Sequence, residues 1–409
     1  MKLALPYLLL LFAMVGCSNT SVTHEGENTN EPSSTQGRQE IITGAQQMNR
    51  YLPMLRNKRI AIVANQTSMI EGAHLVDTLL NSAIQVVKVF APEHGFRGNA
   101  EAGAVIKDGV DSKTGIPVVS LYGKNKKPTS EMLADVDIVL FDIQDVGARF
   151  YTYISTMHYV MEACSEHQLP LIILDRPNPN GHYVDGPIRE ADLTSFDGMH
   201  PIPIVHGCTV GELAQMINGE GWLQGKKTCA LTIIPCENYN HQTPYILPTH
   251  PSPNLSTQSA ILLYPSLCWF EGTCVSVGRG TDFPFCAIGF PRAQNMNYSF
   301  TPRSIHGVAE HPLHENQRCE GIDLRTSNDD SLFHARSIQI SWLLTMYKAC
   351  PKDVEFFTQP EFFDKLAGTH ELRTQVERGA SESEIRKSWE TGLSNYLLMR
   401  SKYLLYPDK

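Results

Sequence analysis

The 409-residue sequence predicts an α/β protein: a Rossmann-like N-terminal domain built on a mainly parallel sheet, then a smaller α+β C-terminal domain. Three observations predict it. Short apolar runs recur at Arg59–Ala64, Gln85–Phe90, Pro117–Tyr122, Asp137–Asp142 and Leu171–Leu174. Helical spacing falls between them, so the runs read as strands covered on both faces, the habit of parallel sheets. Finally, Pro244, Pro248, Pro251 and Pro253 crowd together and set a boundary near residue 247. The expected domains are therefore residues 41–247 and 248–409.

Ahead of them lies a targeting segment. Lys2 supplies a positive start, Leu3 to Val15 is an apolar run, and Met14-Val15-Gly16-Cys17 resembles a bacterial lipobox. The run is too short to cross a membrane and has signal-peptide flanks. Residues 1–16 are expected to be a lipoprotein signal peptide, with lipidation at Cys17. Residues 17–40 are rich in Ser, Thr, Asn, Gly and Glu, cannot bury a core, and are expected to form a flexible tether. No later stretch is apolar and long enough to span a bilayer, so the membrane is expected to be met through the lipid alone. That places the chain in a bacterial cell envelope, anchored and facing the periplasm.

Net charge is −9 with signs mixed, and no basic block argues for nucleic acid. Ten cysteines include Cys17, and no CxxC pair or disulfide framework is visible. Cys164, Cys208, Cys229, Cys268, Cys274 and Cys286 sit in apolar stretches and are expected to pack as small hydrophobes.

The elements follow in order. His74–Ser82 reads as a helix between the first two strands. Phe150–His167 places Tyr153, Met157, Val160, Met161 and Cys164 on one helical face. Thr209–Asn218 has Thr209 as a cap with Glu212 three residues on, the spacing of a capping box. Ala230–Ile234 is a sixth strand. In the second half, Phe285–Phe290 reads as a strand, and Leu332–Met346, Thr369–Arg378 and Glu382–Arg400 as helices.

Chemistry is concentrated where strands end. Val87–Phe90 stops at Pro92 and opens into Glu93, His94, Arg97 and Glu101 among Gly95, Gly98 and Gly103. The fourth strand ends in Asp142-Ile143-Gln144-Asp145-Val146-Gly147-Ala148-Arg149, and the fifth in Asp175-Arg176-Pro177-Asn178. In an open parallel sheet these loops share one edge and can converge. A fourth cluster, Glu271 with Arg279, lies in the second half. No GxGxxG, GxxxxGK[ST], GxSxG or HExxH occurs, which argues against dinucleotide, P-loop, α/β-hydrolase and zincin chemistry. Carboxylates beside arginines suit acid/base work on a polar, anionic substrate, and glycoside hydrolysis needs two carboxyls in different protonation states. Competing structural roles exist: Asp142 and Asp175 as turn or cap residues, Arg149 paired with Asp145, Glu271 as a turn residue, and His94 as a metal ligand.

Several runs carry a family resemblance. Ala91-Pro92-Glu93-His94-Gly95-Phe96-Arg97-Gly98, Asp142 to Tyr153, Asp175-Arg176-Pro177-Asn178-Pro179, Pro251-Ser252-Pro253-Asn254-Leu255, and Phe270-Glu271-Gly272-Thr273 with Gly278-Arg279-Gly280-Thr281 resemble the NamZ family of exo-β-N-acetylmuramidases. So does the closing segment from Trp389 to Tyr406. The likeness covers roughly Gln46 to Tyr406. It departs at Cys208 in His206-Gly207-Cys208-Thr209, where the family has Met, and at Cys274, where it has Asn. The resemblance implies release of N-acetylmuramic acid from non-reducing ends of peptidoglycan fragments, in a cleft of a two-domain enzyme. On that basis Glu93 is the expected acid/base. Glu101, Asp142, Asp145 and Glu271 compete for the second carboxylate, unless the substrate's own N-acetyl group is the nucleophile. Arg97, Arg149, Arg176 and Arg279 are candidates for the lactyl carboxylate. Asn178 and Asn254 could bond sugar hydroxyls, and His94 and Gln144 are further binding candidates. No metal or other cofactor is expected. Two alternatives stay open: an envelope lipoprotein that binds muropeptides without turnover, and a metal-dependent hydrolase using His94.

Overall fold

The computed structural model describes residues 39–97 and 108–408; the leader, Cys17, most of the tether, and Glu101 with Gly98 and Gly103 lie outside the described residues. Seven strands form the main sheet: β1 (Arg59–Ala64), β2 (Gln85–Ala91), β3 (Gly109–Val110), β4 (Pro117–Ser120), β5 (Ile138–Asp142), β6 (Leu171–Leu174) and β7 (Leu231–Ile234). Their spatial order is β3-β4-β2-β1-β5-β6-β7. Every pairing is parallel except that of β3 with β4 at the edge. The chain winds outward from β1 to β4, returns, and restarts at β5 on the other side of β1. Such a reversal opens a crevice at the carboxyl ends of the strands, where open α/β sheets bind ligands.

The continuous apolar runs are explained by the two covered faces. Ile60, Ile62 and Ala64 of β1 share one layer with Leu140, Ile172 and Leu174. Tyr51 and Leu55 of α1 (Met48–Leu55) and Leu75, Val76 and Leu79 of α2 (Leu75–Asn81) cover that layer. Ala61 and Val63 point to the opposite layer with Val139, Phe141, Leu171 and Ile173. There they meet Met157, Val160 and Met161 of α3 (Tyr153–His167) and Leu213, Met216 and Ile217 of α4 (Val210–Gly219). Successive residues of a strand point to opposite faces, so both registers must be apolar.

The expected helix starts are present in atomic detail. The Thr209 hydroxyl accepts the Glu212 amide at 3.3 Å while the Glu212 carboxylate accepts the Thr209 amide at 2.9 Å, a complete capping box. His74 caps α2 through Nδ1, which accepts the Val76 amide at 3.2 Å.

The second half is α+β, as expected. A three-stranded antiparallel sheet, β8 (Ala287–Phe290), β9 (Tyr298–Phe300) and β10 (Cys319–Asp323), has the order β8-β10-β9. Helices α5 (Gln258–Leu267), α6 (Ile340–Lys348), α7 (Pro360–Ala367), α8 (Glu371–Glu377) and α9 (Glu382–Arg400) surround it. One apolar core runs from α3 and α4 into this half through Tyr264, Trp269, Phe270, Phe363 and Trp389. The helix expected at Leu332–Met346 is in fact two, a short helix Asp329–Ala335 and α6. Arg336 between them turns left-handed at φ 48°, and the Ile338 amide is taken by Asp185 Oδ2 at 2.8 Å instead of continuing a helical ladder. Among the described residues no helix is long and apolar enough to cross a membrane.

Three buried histidines bear on stability. Burial, with Arg336 adding, lowers the pKa of His182 to about 4, and its ring stacks on Phe333 at 3.8 Å. Burial lowers that of His206 to about 3, with Arg400 and Arg149 adding, and that of His200 well below its usual value. Each folded-state pKa lies below the unfolded value near 6.5, so the stability is present above that pH and is lost as pH falls toward the folded values. The slope is about 1.4 kcal/mol per pH unit for each histidine. The raised carboxyls of Asp145 and Asp175 act in the opposite sense over the same range, so the histidine share is read by comparison: a His182→Phe variant is expected to lose less of its melting temperature than the wild type between about pH 6.5 and pH 5. Identical profiles would contradict neutral burial of this ring.

Candidate active site

Pro92 ends β2 and turns the chain so that Glu93 leaves the carboxyl edge of the sheet. The turn closes through the Gly95 amide on the Pro92 carbonyl at 3.1 Å. His94 in this turn is buried and takes φ 68°, a conformation that costs a non-glycine residue about 1 kcal/mol. Backbone strain of this kind concentrates at functional sites.

Two hydroxyls hold the Glu93 carboxylate. Thr152 Oγ1 donates to Oε2 at 2.9 Å from the residue just before α3, and the Tyr122 hydroxyl beyond β4 bonds the same side chain. Burial first, and the Glu93 charge second, push the Tyr122 pKa well above the phenol range, so this hydroxyl stays a donor. The neighbours of Thr152 secure the segment: Tyr151 and Tyr153 both donate to the Pro251 carbonyl, at 2.9 and 3.1 Å.

The opposite wall comes from the second half of the chain. Glu271 sits in a 3-10 turn, Cys268–Gly272, that follows α5. Its Oε1 accepts Arg279 Nε at 2.6 Å, and the guanidinium lies 5.0 Å from the centre of the Phe285 ring. Asp197 completes the set. Glu93, Asp197, Glu271 and Arg279 line one cavity of about 110 Å³, with Thr152 and His94 at its edge. The Asp197 carboxyl is pushed above the usual carboxylate range, first by burial and then by the Glu93 charge, with a smaller push from Glu271. Carboxyl groups in different environments within one cavity are the arrangement that acid/base chemistry in hydrolase sites uses.

The structure thus brings Glu93, His94, Glu271 and Arg279 together and, among the described residues, holds the other expected ones elsewhere. Asp142 and Arg176 form a fully buried, two-pronged ion pair at 2.6 and 2.9 Å, beneath the strand ends. Asp145 is buried, accepts the Gly147 amide at 2.7 Å, and has its pKa raised by burial to about 7. Gly147 is required there: φ is +80°, and a Cβ would lie 2.1 Å from Asn178 Oδ1. Gln144 donates to the Asp145 and Pro177 carbonyls at 2.8 and 2.7 Å. Asn178 donates to the Cys208 carbonyl at 2.8 Å, and Asn254 to the Val308 carbonyl at 2.9 Å. Arg97 grips Asp111 at 2.8 and 3.2 Å. Arg149 does not pair with Asp145. Its guanidinium donates to four carbonyls, those of Pro187, Ile202, Leu366 and Ala367, at 2.7–2.9 Å. Asp175 caps α4, accepting the Thr209 hydroxyl and the Gly211 amide at 2.7 and 2.8 Å. Among the described residues, the group of acids and a histidine spaced to hold a cation is Glu190, Asp192 and His370; it does not include His94.

Asp197, Thr152 and Tyr122 were not expected at the site. Thr152 lies inside a run already singled out, but Asp197 stands in a loop with no strand end or motif to mark it.

Thr152 predicts a measurable effect. Removing its hydroxyl as Thr152→Val leaves Glu93 without one donor and is expected to lower kcat by about tenfold or more, the worth of a hydrogen bond to a charged group. Thr152→Ser should restore most of it. Equal activity of the Val and Ser variants would show that this bond does not position Glu93.

The family model described as "Exo-beta-N-acetylmuramidase NamZ, N-terminal" matches residues 60–259, and its C-terminal counterpart matches residues 262–406. The peptidoglycan β-N-acetylmuramidase NamZ of Bacillus subtilis (strain 168) is 37% identical over 418 residues, covering 97% of this chain and 97% of its own. Two solved structures of DUF1343 family proteins from Bacteroides fragilis NCTC 9343 share the fold. One superposes with a TM-score of 0.84 at 47% identity, over 91% of this chain and all of its own. The other has a TM-score of 0.77 at 28% identity, over 90% of this chain and 99% of its own.

Proposed function

Because the chain belongs to the NamZ family of exo-β-N-acetylmuramidases, we propose that it hydrolyses the bond of a terminal N-acetylmuramoyl residue in peptidoglycan fragments, and does so at the cavity shared by Glu93, Asp197 and Glu271. The observation that carries the placement is the meeting of three carboxyls at the edge of one cavity, two from the first half of the chain and one from the second.

The chemistry divides among them. Glu93 acts as the acid/base, delivering a proton to the glycosidic oxygen and then drawing one from the attacking water. Asp197, whose carboxyl is pushed above the usual carboxylate range first by burial and then by the Glu93 charge, lines the same cavity and can exchange a proton with Glu93. Glu271 faces them in its ion pair with Arg279 and balances the positive charge that develops at the anomeric carbon. None of these steps requires a metal or a redox group.

The test is release of 4-nitrophenol from its β-N-acetylmuramide beside the matching β-N-acetylglucosaminide. Cleavage of the muramide alone is expected. Cleavage of neither by folded protein would replace hydrolysis with binding. We further propose that the protein sits in the cell envelope, held by lipid on Cys17; the apolar run Leu3–Val15 and the Met14-Val15-Gly16-Cys17 sequence support this. Cys17→Ser should move the protein from the membrane fraction to the soluble one; unchanged fractionation would show that Cys17 carries no anchor.

A further inference from the structure

The Glu271–Arg279 pair stands between two cavities. One is the 110 Å³ space that also holds Glu93 and Asp197. The other, of about 180 Å³, lies against the same two side chains and is walled by Val275, Val277, Leu313 and the hydroxyl-bearing Thr273 and Thr358. Its character is different. Val275 and Val277 are almost fully buried and present hydrocarbon, and Leu313 at 46% exposure stands at the rim. The only cation against this apolar wall is Arg279 among its lining residues. Glu271 occupies Arg279 Nε and is its sole hydrogen-bond partner among the described residues, so the two Nη groups can serve something else. A guanidinium edge of this kind matches a carboxylate through two parallel hydrogen bonds.

Size points the same way. The catalytic cavity alone is small for a substituted sugar, whereas the two together approach the lower end, about 300 Å³, of ordinary ligand sites. What distinguishes an N-acetylmuramoyl residue from N-acetylglucosamine is one substituent that joins a methyl group to a carboxylate, the lactyl ether. A hydrocarbon wall beside an arginine edge is complementary to that substituent.

We propose that the cavity walled by Val275, Val277 and Leu313 is the specificity pocket, taking the lactyl methyl against its apolar wall and the lactyl carboxylate on Arg279. This rests on the muramidase reading above and adds where discrimination resides. Leu313 becomes a specificity-determining residue, and Arg279 serves both the substrate and Glu271.

Two measurements test it. The first is calorimetric binding of N-acetylmuramic acid, its lactyl carboxamide and N-acetylglucosamine to the wild-type protein. The acid is expected to bind at least about tenfold more tightly than either neutral ligand, since the charged fork contact is lost in both. Equal binding of all three would overturn the pocket. The second is Leu313→Asp, an exposed-rim change that places a like charge beside the lactyl carboxylate. It should raise KM for the chromogenic muramide by about tenfold or more with kcat little changed. An unchanged KM in a folded variant would overturn the assignment even if muramide cleavage by the wild type persists. Failure of the wild type to cleave any muramide would instead overturn the reaction itself.

Discussion

Glu93→Gln is expected to lower kcat on 4-nitrophenyl β-N-acetylmuramide by about 10²–10⁴-fold, the usual worth of a positioned general acid or base. The substitution keeps shape and one acceptor oxygen, so the bond from Thr152 Oγ1, now 2.9 Å, can survive. What is lost is the exchangeable proton. An amide cannot give a proton to the leaving oxygen or take one from water. The fold should be untouched, because Glu93 sits in a turn after β2 and not in the apolar layers. The melting temperature is accordingly expected to stay close to that of the wild type while turnover collapses. Activity within about tenfold of wild type would remove Glu93 from the acid/base role.

Arg149→Met is expected to do the reverse, destabilising the protein by about 3–5 kcal/mol or preventing folding, as breaking a buried charged network does. Arg149 is fully buried, and its guanidinium serves four carbonyls at once. Two of these, from Pro187 and Ile202, belong to the first half of the chain. The other two, from Leu366 and Ala367, close α7 in the second. Methionine fills the volume but leaves all four acceptors in a dry interior. Lysine would be a poor rescue, since one ammonium cannot reproduce the planar fork. The cage is closed by Gly368, where φ is +81° and a Cβ would stand 2.3 Å from Arg149 Nη2. Burial first, and the Arg189 charge second, lower the Arg149 pKa to about 9, which leaves it protonated at neutral pH. Urea unfolding of the variant gives the answer: a loss of under about 1 kcal/mol would mean that the four bonds contribute little.

Two residues that look alike in sequence thus have opposite roles. Glu93 and Arg149 both follow strands, both stand in long family-like runs, and both are charged. Sequence identifies the strands because burial on two faces forces the consecutive positions 60–64, 138–141 and 171–174 to be apolar. It identifies Glu93 because Pro92 must end the strand and turn the chain outward. It misplaces Arg149, as a substrate or Asp145 partner, because the four carbonyls that hold it come from residues 38 to 218 positions away. Asp142 and Arg176 illustrate the same limit: each ends its own strand, and only the adjacency of β5 and β6 makes them one buried pair. Asp197 is hidden for the opposite reason. It lies in an irregular loop, Ser195 to Gly198, with neither periodicity nor a motif, and it matters only because folding sets it beside Glu93. The division of residues 332–346 into two helices was likewise illegible, since the interruption depends on Asp185, far back in the chain. The two-residue strand β3 is too short to carry a pattern.

Cleavage of the sugar in the cavity between Glu93 and Glu271 is visible in a crystal structure of the E93Q protein with uncleaved 4-nitrophenyl β-N-acetylmuramide bound. The glycosidic oxygen is expected within about 2.6–3.2 Å of the side chain at position 93, hydrogen-bond reach for proton transfer. Glu271 is expected on the far side of the anomeric carbon. A muramide bound elsewhere, such as the groove lined by Tyr347 and Lys352, with the Glu93 cavity empty, would contradict this placement.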